Sequence, residues 1–353
     1  MKYLIVQNWN STNGNHAGMK HMCELLIKRY PQKYTLITNE TFQCRWLPDN
    51  KILRYPFLIY QRFYQRYFST FKYKRICKNM FNSLSEGDEV FLLEYLFPAI
   101  PQYGLAVYIR RQFPKVKIYA LSHLTPTIYK KIFQKPYKTM YKWSLPIDKM
   151  LTLGSSLSTF FIEEVHIPKE KVSTGLHYAD LNYYQNSSIK KVNAPMTIIV
   201  MGNVERNYEL LSKIVHKISN IKWVICKGHA QIDHYFSNTP NVQLKGYIAE
   251  DELRNIMKNA DISLNVMNDT VGSNVITTSM AMGLAIITSN VGSIHDYCSE
   301  ENAVFCDNNE ESFINAINYL IANPSKVESM KKSSIEISKK LDIEYINQWF
   351  SNL

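Results

Sequence analysis

Short apolar runs alternate with amphipathic helical segments along most of this chain, and this alternation limits its possible folds more than any other feature. A run such as MTIIVM at 196–201 offers almost no polar face, so both of its faces need to be covered. Parallel sheets with helices on both sides meet that need. The sequence therefore predicts an α/β protein with Rossmann-like, doubly wound sheets.

The predicted strands fall into two sets separated by a polar stretch. The first set lies at 3–6, 34–38, 90–94, 117–121, 150–153 and 171–175, and the second at 196–201, 223–226, 242–244, 262–266 and 284–288. Between them, YQNSSIKKVNAP at 184–195 has no periodicity and is typical of a linker. We expect an N-terminal domain at 1–184, a linker at 185–195, a second domain at 196–335, and a C-terminal helix at 336–353 that can cross back to the first domain.

The net charge of +11 is concentrated in the first half of the chain. Residues 1–189 hold 26 Lys and Arg against 12 Asp and Glu, whereas residues 190–353 hold 15 against 18. A 353-residue chain has room for two full cores, so the excess of positive charge belongs to one domain. This asymmetry indicates a polyanionic partner for the N-terminal domain alone.

Much of that positive charge lies in one aromatic segment, residues 51–84. It contains eight Lys and Arg, ten Phe and Tyr, and no acid. Cations beside aromatic rings suit the surface of an anionic membrane, so we expect this segment to contact the inner face of the cytoplasmic membrane. An amphipathic helix that packs its aromatic face on the sheet fits the same pattern. Basic and aromatic residues together also suit nucleic-acid binding, the alternative from another functional class.

The six cysteines form no CxxC pair and no Cys/His cluster. They are typical of free thiols in a reducing compartment. The apolar run YLIV at the start is too short for a signal peptide, and no run approaches the length that spans a bilayer. We therefore expect a cytoplasmic protein that associates with the membrane peripherally.

Two long runs in the second half carry a resemblance to a known family. They are NVQLKGYIAEDELRNIMKNADISLNV at 241–266 and GSNVITTSMAMGLAIITSNVGSIHDYC at 272–298. In order and spacing they resemble the large family of retaining glycosyltransferases with the GT-B fold, commonly called family 4. The resemblance implies two Rossmann-like domains facing each other across a cleft, with a nucleotide-sugar donor bound by the second domain.

The resemblance assigns a set of donor-binding residues. They are Gly18, Gly202, Gly246, Tyr247, Asp269, Gly272, Ser273, Asn274, Val275 and Thr278. Glycine allows a ligand close to the backbone, and a serine-capped helix start offers free N–H groups to a diphosphate. An ordinary turn before a capped helix gives the same pattern. The chain departs from the family's Glu-x7-Glu pair, since Thr270 and Thr278 stand at those positions with Asp269 alongside. This departure leaves an unusual donor or an inactive homologue as alternatives.

Four residues are candidates for the chemistry. Arg206 and Lys227 follow the first two strands of the second domain and are expected to neutralise the leaving diphosphate. His123 matches the family's histidine that reaches the donor sugar from the first domain, and Glu94 ends a strand where it can orient an acceptor hydroxyl. Each of the four also fits a structural role.

The function implied is glycosyl transfer from a nucleotide sugar to a saccharide or lipid-linked saccharide, with retention. The setting expected is bacterial cell-surface polysaccharide, such as capsule, O-antigen or lipopolysaccharide. The chain has no DxD-type motif, so we expect a metal-independent hexosyltransferase-type enzyme without cofactor and without a nucleic-acid partner. A nucleic-acid-binding protein and a catalytically inactive GT-B homologue are the alternatives.

Overall fold

The computed structural model describes residues 1–9, 14–40, 51–97, 99, 101–186, 191–237 and 239–353, without the side chains of residues 51, 65 and 66. The chain forms two compact units. Unit 1 comprises Met1–Leu153, Leu157–Gly175 and Trp349–Leu353, and unit 2 comprises Gly154–Ser156 and Leu176–Gln348.

Unit 1 is built on a parallel sheet of six strands. They are β1 (Lys2–Asn8), β2 (Tyr34–Glu40), β3 (Glu89–Leu92), β4 (Lys117–Ser122), β5 (Lys149–Thr152) and β6 (Val172–Thr174). The order across the sheet is β2-β1-β3-β4-β5-β6, so the direction of winding changes between β1 and β3. The interior of β1 is buried throughout, as a central strand covered on both faces requires.

Seven α-helices lie between or after the strands of this sheet in the described part of the chain. They are α1 (Met19–Arg29), α2 (Lys51–Ile76), α3 (Lys78–Ser83), α4 (Tyr103–Gln112), α5 (Pro126–Ile132), α6 (Lys138–Ser144) and α7 (Ser155–Thr159). α1 buries Met22 and Leu26 at helical spacing. α5 begins where the Thr125 side chain accepts the Ile128 N–H and Pro126 occupies the first turn.

The long helix α2 has two different parts. Its C-terminal part packs on unit 1 through the buried Ser69 and Tyr73. Its N-terminal part leaves most of its large apolar side chains in solvent. The exposed residues are Ile52, Leu53, Tyr55, Phe57, Ile59, Tyr60, Phe63, Tyr67, Phe68 and Phe71. Most aromatic side chains of the predicted segment are therefore exposed and do not pack within unit 1.

Unit 2 contains a second parallel sheet of six strands. They are β7 (Thr197–Met201), β8 (Lys222–Cys226), β9 (Val242–Lys245), β10 (Ile262–Asn265), β11 (Ala285–Ser289) and β12 (Ala303–Cys306). The order is β12-β11-β10-β7-β8-β9, so the winding changes direction between β7 and β10. This is the strand order of a dinucleotide-binding Rossmann fold.

Seven further helices follow these strands or end the chain. They are α8 (Tyr208–Lys217), α9 (Glu250–Lys258), α10 (Asn274–Ala281), α11 (Ile294–Tyr297), α12 (Glu310–Ala322), α13 (Pro324–Ser338) and α14 (Ile343–Ser351). The core is apolar except where a polar group finds a partner: buried Trp223 donates its indole N–H to the Ile218 carbonyl at 3.1 Å.

The last five residues belong to unit 1. Phe350 stacks on Phe91 with ring centroids 4.5 Å apart, and the Trp349 indole N–H donates to the Ser173 hydroxyl at 3.0 Å. A β-carbon on Gly175 would lie 2.5 Å from the Trp349 ring, so only glycine allows this approach.

The predicted fold class, with two α/β sheet domains, is confirmed. β12 was missed, since its four residues AVFC lie in a polar stretch. The division between units falls at residues 175 and 176, earlier than the predicted boundary at 184 and 185. Tyr183, whose hydroxyl donates to Asp251 at 2.7 Å, shows why 176–184 group with unit 2. Residues 187–190 of the predicted linker lie outside the described residues.

Two other expectations concern membrane spans and thiols. Among the described residues, no helix is both long and apolar enough to cross a membrane. Cys23, Cys77, Cys226, Cys298 and Cys306 are free and buried, while Cys44 lies outside the described residues.

A buried ion pair joins Lys331 and Asp261 in unit 2. The two side chains are 3% and 0% exposed and lie 3.3 Å apart, and Asp261 also accepts the Thr197 N–H at 2.9 Å. Removing one partner of a buried pair leaves a charge without compensation, so Lys331→Ala should lower the free energy of unfolding by about 3 kcal/mol. The exposed neighbour Lys332→Ala is the control. Equal denaturant midpoints for the two variants would contradict the prediction.

Candidate functional site

Ligands of open α/β sheets bind at the carboxyl ends of the strands, where the winding changes direction. In unit 2 that point lies between β7 and β10. The segment after β7 crosses toward the segment after β10 there: the Asn207 N–H donates to the Val266 carbonyl at 3.0 Å, and the Asn268 N–H to the Glu205 carbonyl at 2.8 Å. Arg206, between these bonds, is thereby held at the switch point.

The Arg206 guanidinium is positioned by its neighbours. Its Nη1 donates to the Asn265 side-chain oxygen at 3.2 Å, at the end of β10. A β-carbon on Gly202 would lie 2.9 Å from its Nη2 and 3.0 Å from a methyl of Val275. Gly202 has a φ of +84° and so suits glycine on backbone grounds as well. The structure thus brings Gly202, Arg206 and Val275 together, and their role in donor binding stays a prediction.

Arg206 carries a charge that the described part of the chain does not neutralise. The group is half-buried, its Nε lacks a hydrogen-bond partner, and no acid is among the charges acting on it. Burial lowers the pKa of Arg206 to about 10. The guanidinium thus stays charged at neutral pH, and its desolvation is offset once an anion binds beside it.

Helix α10 begins next to this cation. Gly272 has a φ of +53°, and the Ser273 hydroxyl accepts the Ile276 N–H as the cap of the helix. The first N–H groups of a helix have no partner within it and carry partial positive charge. A β-carbon on Gly202 would meet both the Val275 side chain and the Arg206 guanidinium, so the first turn of α10 and Arg206 approach the same glycine. The arrangement suits a diphosphate.

The segment that leads into α10 is tightly enclosed. A β-carbon on Gly292, whose φ is +57°, would lie 2.3 Å from the Thr270 carbonyl oxygen and 2.7 Å from Asp269 Oδ1. Asp269 is 9% exposed and its Oδ1 accepts the Thr270 N–H at 2.8 Å. Thr278, one turn inside α10, donates its hydroxyl hydrogen to the Asn274 carbonyl at 2.8 Å. The hydroxyl oxygen of Thr278 can therefore only accept a hydrogen bond from a ligand. Binding of a ribose by Thr278 stays a prediction.

Lys227 and the residues near it form the other side of this edge. Lys227 pairs with Asp233, a counter-charge of a kind that Arg206 does not have among the described residues. The Asn203 amide donates to the Lys227 carbonyl at 2.8 Å, joining the loops after β7 and β8. Tyr247, 60% exposed, stacks on His229 with centroids 4.9 Å apart, and the neighbouring Gly246 is open on its β-carbon side.

In unit 1, Glu94 and His123 lie together at the carboxyl edge of the sheet. His123 Nε2 is 3.4 Å from Glu94 Oε2, and Glu94 Oε1 accepts the Trp9 indole N–H at 3.2 Å. Gly18 caps α1 beside a small cavity of about 110 Å³ lined by Trp9 and His16 among others. The two catalytic candidates from this half are thus in contact.

Four residues of these sites escaped sequence reasoning: Trp9, His229, Asn265 and Gly292. Asn265 ends a buried strand, a position where a polar residue signals a role at the sheet edge. Trp9 follows a strand directly in the same way. Gly292 shows its role only through the backbone it meets, which no local sequence signal reveals.

A family model matches part of this chain. Residues 195–323 match the family model of the glycosyl transferases group 1, just over a third of the chain. No curated protein sequence matches. The matched segment contains the unit 2 site described above, including Arg206 and the start of α10.

Solved structures are similar over the whole chain. A glycosyltransferase from Rickettsia africae is 11% identical with a TM-score of 0.67, covering 99% of this chain and 97% of that one. A sucrose-phosphate synthase from Thermosynechococcus elongatus is 11% identical with a TM-score of 0.71, covering 100% and 99%. HepE from Anabaena in complex with UDP is 13% identical with a TM-score of 0.68, covering 100% and 99%.

The fold is that of GT-B glycosyltransferases, with two α/β units that each carry a parallel six-stranded sheet. The segment that matches the glycosyl transferases group 1 model, residues 195–323, lies within unit 2.

The close approach at Gly292 leads to a stability prediction. Gly292→Ala adds a methyl group 2.3 Å from the Thr270 carbonyl at a φ of +57°, so it should lower the free energy of unfolding by about 3 kcal/mol. Gly246→Ala, where a β-carbon meets nothing within 4 Å, should cost less than about 1 kcal/mol. Thermal unfolding of both variants checks this, and a melting temperature for Gly292→Ala equal to that of the control would contradict it.

Proposed function

We propose that this protein is a glycosyltransferase that uses a nucleotide-sugar donor bound by unit 2. The observation that carries the proposal is Arg206, a half-buried cation without an acid partner among the described residues, beside Gly202 and the start of α10. A diphosphate supplies the missing negative charge and accepts from both the guanidinium and the helix amides. The matched family model covers this region.

The donor is a nucleoside diphosphate sugar. Structures of HepE contain UDP, UDP with glucose, and UDP-glucose, so uridine nucleotides are the first donors to test here. The exposed Tyr247 and His229 rings at the neighbouring strand ends offer a stacking surface for a flat group such as the base.

The reaction transfers a hexosyl-type sugar with retention. The anomeric C–O bond to the phosphate breaks and its electron pair stays on the leaving diphosphate. The acceptor oxygen bonds to the anomeric carbon on the same face, and the departing phosphate takes the acceptor proton. Arg206 and the α10 amides stabilise the negative charge that develops on the leaving group, so the reaction needs neither metal nor cofactor. Lys227, paired with Asp233, contributes less than Arg206.

A donor-binding experiment tests the proposal. In thermal-shift measurements with EDTA present, one nucleoside diphosphate class among UDP, GDP and dTDP sugars should raise the melting temperature, whereas CMP sugars, which carry a single phosphate, should not. Arg206→Ala removes charge-assisted hydrogen bonds to the diphosphate and should weaken binding by roughly 10- to 100-fold. Lys258→Ala removes an exposed cation from the same unit as control. No stabilisation of wild type by any donor, or equal losses in both variants, would remove the hypothesis.

We also propose that the acceptor is a saccharide or lipid-linked saccharide of bacterial surface polysaccharide, reached at the inner face of the cytoplasmic membrane. The support comes from α2. Phe63, Tyr67 and Phe71 form one exposed stripe, with Phe63 and Tyr67 centroids 4.5 Å apart. Eight Lys and Arg without an acid at 51–84 match anionic headgroups. An exposed aromatic stripe with this charge suits a lipid interface better than bulk water.

Vesicle binding tests this surface. The triple variant Phe63→Ser, Tyr67→Ser, Phe71→Ser loses three rings from the interface and should bind phosphatidylglycerol vesicles at least about tenfold more weakly. Tyr319→Ser, at an exposed tyrosine of unit 2, serves as control. Binding of wild type should be weak on phosphatidylcholine alone. Salt-sensitive binding to single-stranded oligonucleotides without vesicle binding would instead favour the nucleic-acid alternative.

A further inference from the structure

The carboxyl edge of the unit 1 sheet brings three side chains together. Trp9 follows β1, Glu94 follows β3 and His123 follows β4, and these three strands are neighbours in the sheet. The winding of unit 1 changes direction between β1 and β3, so the bond between Trp9 and Glu94 spans that switch point. Such a point is where open α/β sheets bind ligands.

Glu94 is held rigidly among these groups. It is 4% exposed, and its backbone N–H donates to the Gln102 side-chain oxygen at 3.1 Å. Gln102 is itself fully buried and donates to the Ile5 carbonyl at 3.4 Å. On the side-chain end, the Trp9 indole N–H occupies Oε1, while the Trp9 ring packs edge-on against Phe97. The indole N–H therefore occupies Oε1. The other oxygen, Oε2, is buried without a hydrogen-bond partner among the described residues and lies 3.4 Å from His123 Nε2, within ion-pair distance.

Among the described residues, His123 is the basic group that acts on the Glu94 carboxylate. The carboxylate in turn acts on three neighbouring groups, Cys23, Tyr73 and Tyr129. Burial raises the pKa of each of these three groups far above neutrality, so they stay uncharged. Burial also raises the pKa of Glu94 itself, and the charge of His123 and the Trp9 hydrogen bond act in the opposite direction.

We propose that Glu94 is a positioning residue: its carboxylate, 3.4 Å from His123 Nε2, favours the tautomer with the hydrogen on Nε2 and leaves Nδ1 with its lone pair as an acceptor for a substrate hydroxyl. A neutral imidazole has one N–H, and a carboxylate beside one nitrogen selects the tautomer that places the hydrogen there. His123 Nδ1 is buried and has no hydrogen-bond partner among the described residues. That nitrogen is available for a sugar hydroxyl, so this role rests on the proposed glycosyl transfer.

Trp9 completes the arrangement. Its indole N–H occupies the Glu94 oxygen that does not face His123, so the carboxylate does not turn away from the imidazole. The Trp9 ring also lines the small cavity next to Gly18. The sequence assigned Glu94 to an acceptor hydroxyl. The geometry points instead to contact through His123, since Glu94 is almost fully enclosed.

The tautomer can be measured on the wild-type protein without any substrate. In protein labelled with ¹⁵N at the histidine rings, the signals of His123 are identified by their loss in His123→Asn. At a pH where the ring is neutral, the ¹⁵N shifts should show a protonated Nε2 and a bare Nδ1. A predominant Nδ1–H form would overturn the proposal, whatever the behaviour of the variants.

Glu94→Gln tests the cause. The glutamine amide can face either a donor or an acceptor, so the variant should show a mixture of both His123 tautomers. The control Glu86→Gln, at an exposed acid paired with Lys115, should leave the ring signals unchanged.

A kinetic measurement adds a second readout. Once a donor and an acceptor are identified, Glu94→Gln should lower kcat at least about tenfold with little change in KM for the donor. Unaltered ring signals in Glu94→Gln would overturn the proposal. If Glu94 sets the His123 tautomer but no donor binds, the positioning role of Glu94 stands and the proposed glycosyl transfer is refuted.

Discussion

Burial of both faces of a parallel sheet is the constraint on which this structure depends. Central strands such as β1 and β7 are buried along their interior, so charged side chains are excluded from the covered faces of the sheet. Polar and charged side chains collect instead in the segments after the strands. Arg206 follows β7 and Glu94 follows β3 for this reason. Each unit thus has its reactive groups at one edge of its own sheet.

The two edges differ in how their charges are balanced. In unit 2, Arg206 lacks an acid partner within the described residues, and burial lowers its pKa to about 10, which still leaves it charged. Such a group stabilises an incoming anion more than an exposed lysine does. In unit 1, the Glu94 carboxylate has the His123 imidazole and the Trp9 indole N–H as polar neighbours within the unit. The first edge suits a diphosphate, and the second suits the orientation of an imidazole.

Part of each site could be predicted from the sequence because strand ends are visible there. Glu94 and His123 are predicted at the ends of strands and Arg206 in the loop after one, and the resemblance to family 4 gives Arg206 and His123 their roles. The pairing of Lys227 with Asp233 was not visible, since it depends on a short helical turn after β8 folding back. The enclosure of Gly292 by the Thr270 carbonyl likewise depends on two loops meeting. Contacts of this kind depend on which segments meet in space, and the residue types in a segment do not predict its partners.

The sequence by itself determined the class of fold, the positions of eleven of the twelve strands, and the concentration of positive charge in the first half. These properties are local, because periodicity and composition act within a few turns of chain. Only the tertiary structure decided which cation stays without a counter-charge, which carboxylate meets which imidazole, and how much of the α2 aromatic face remains exposed. Charge compensation and burial are properties of neighbours in space, and those neighbours are brought together only by the order of the strands.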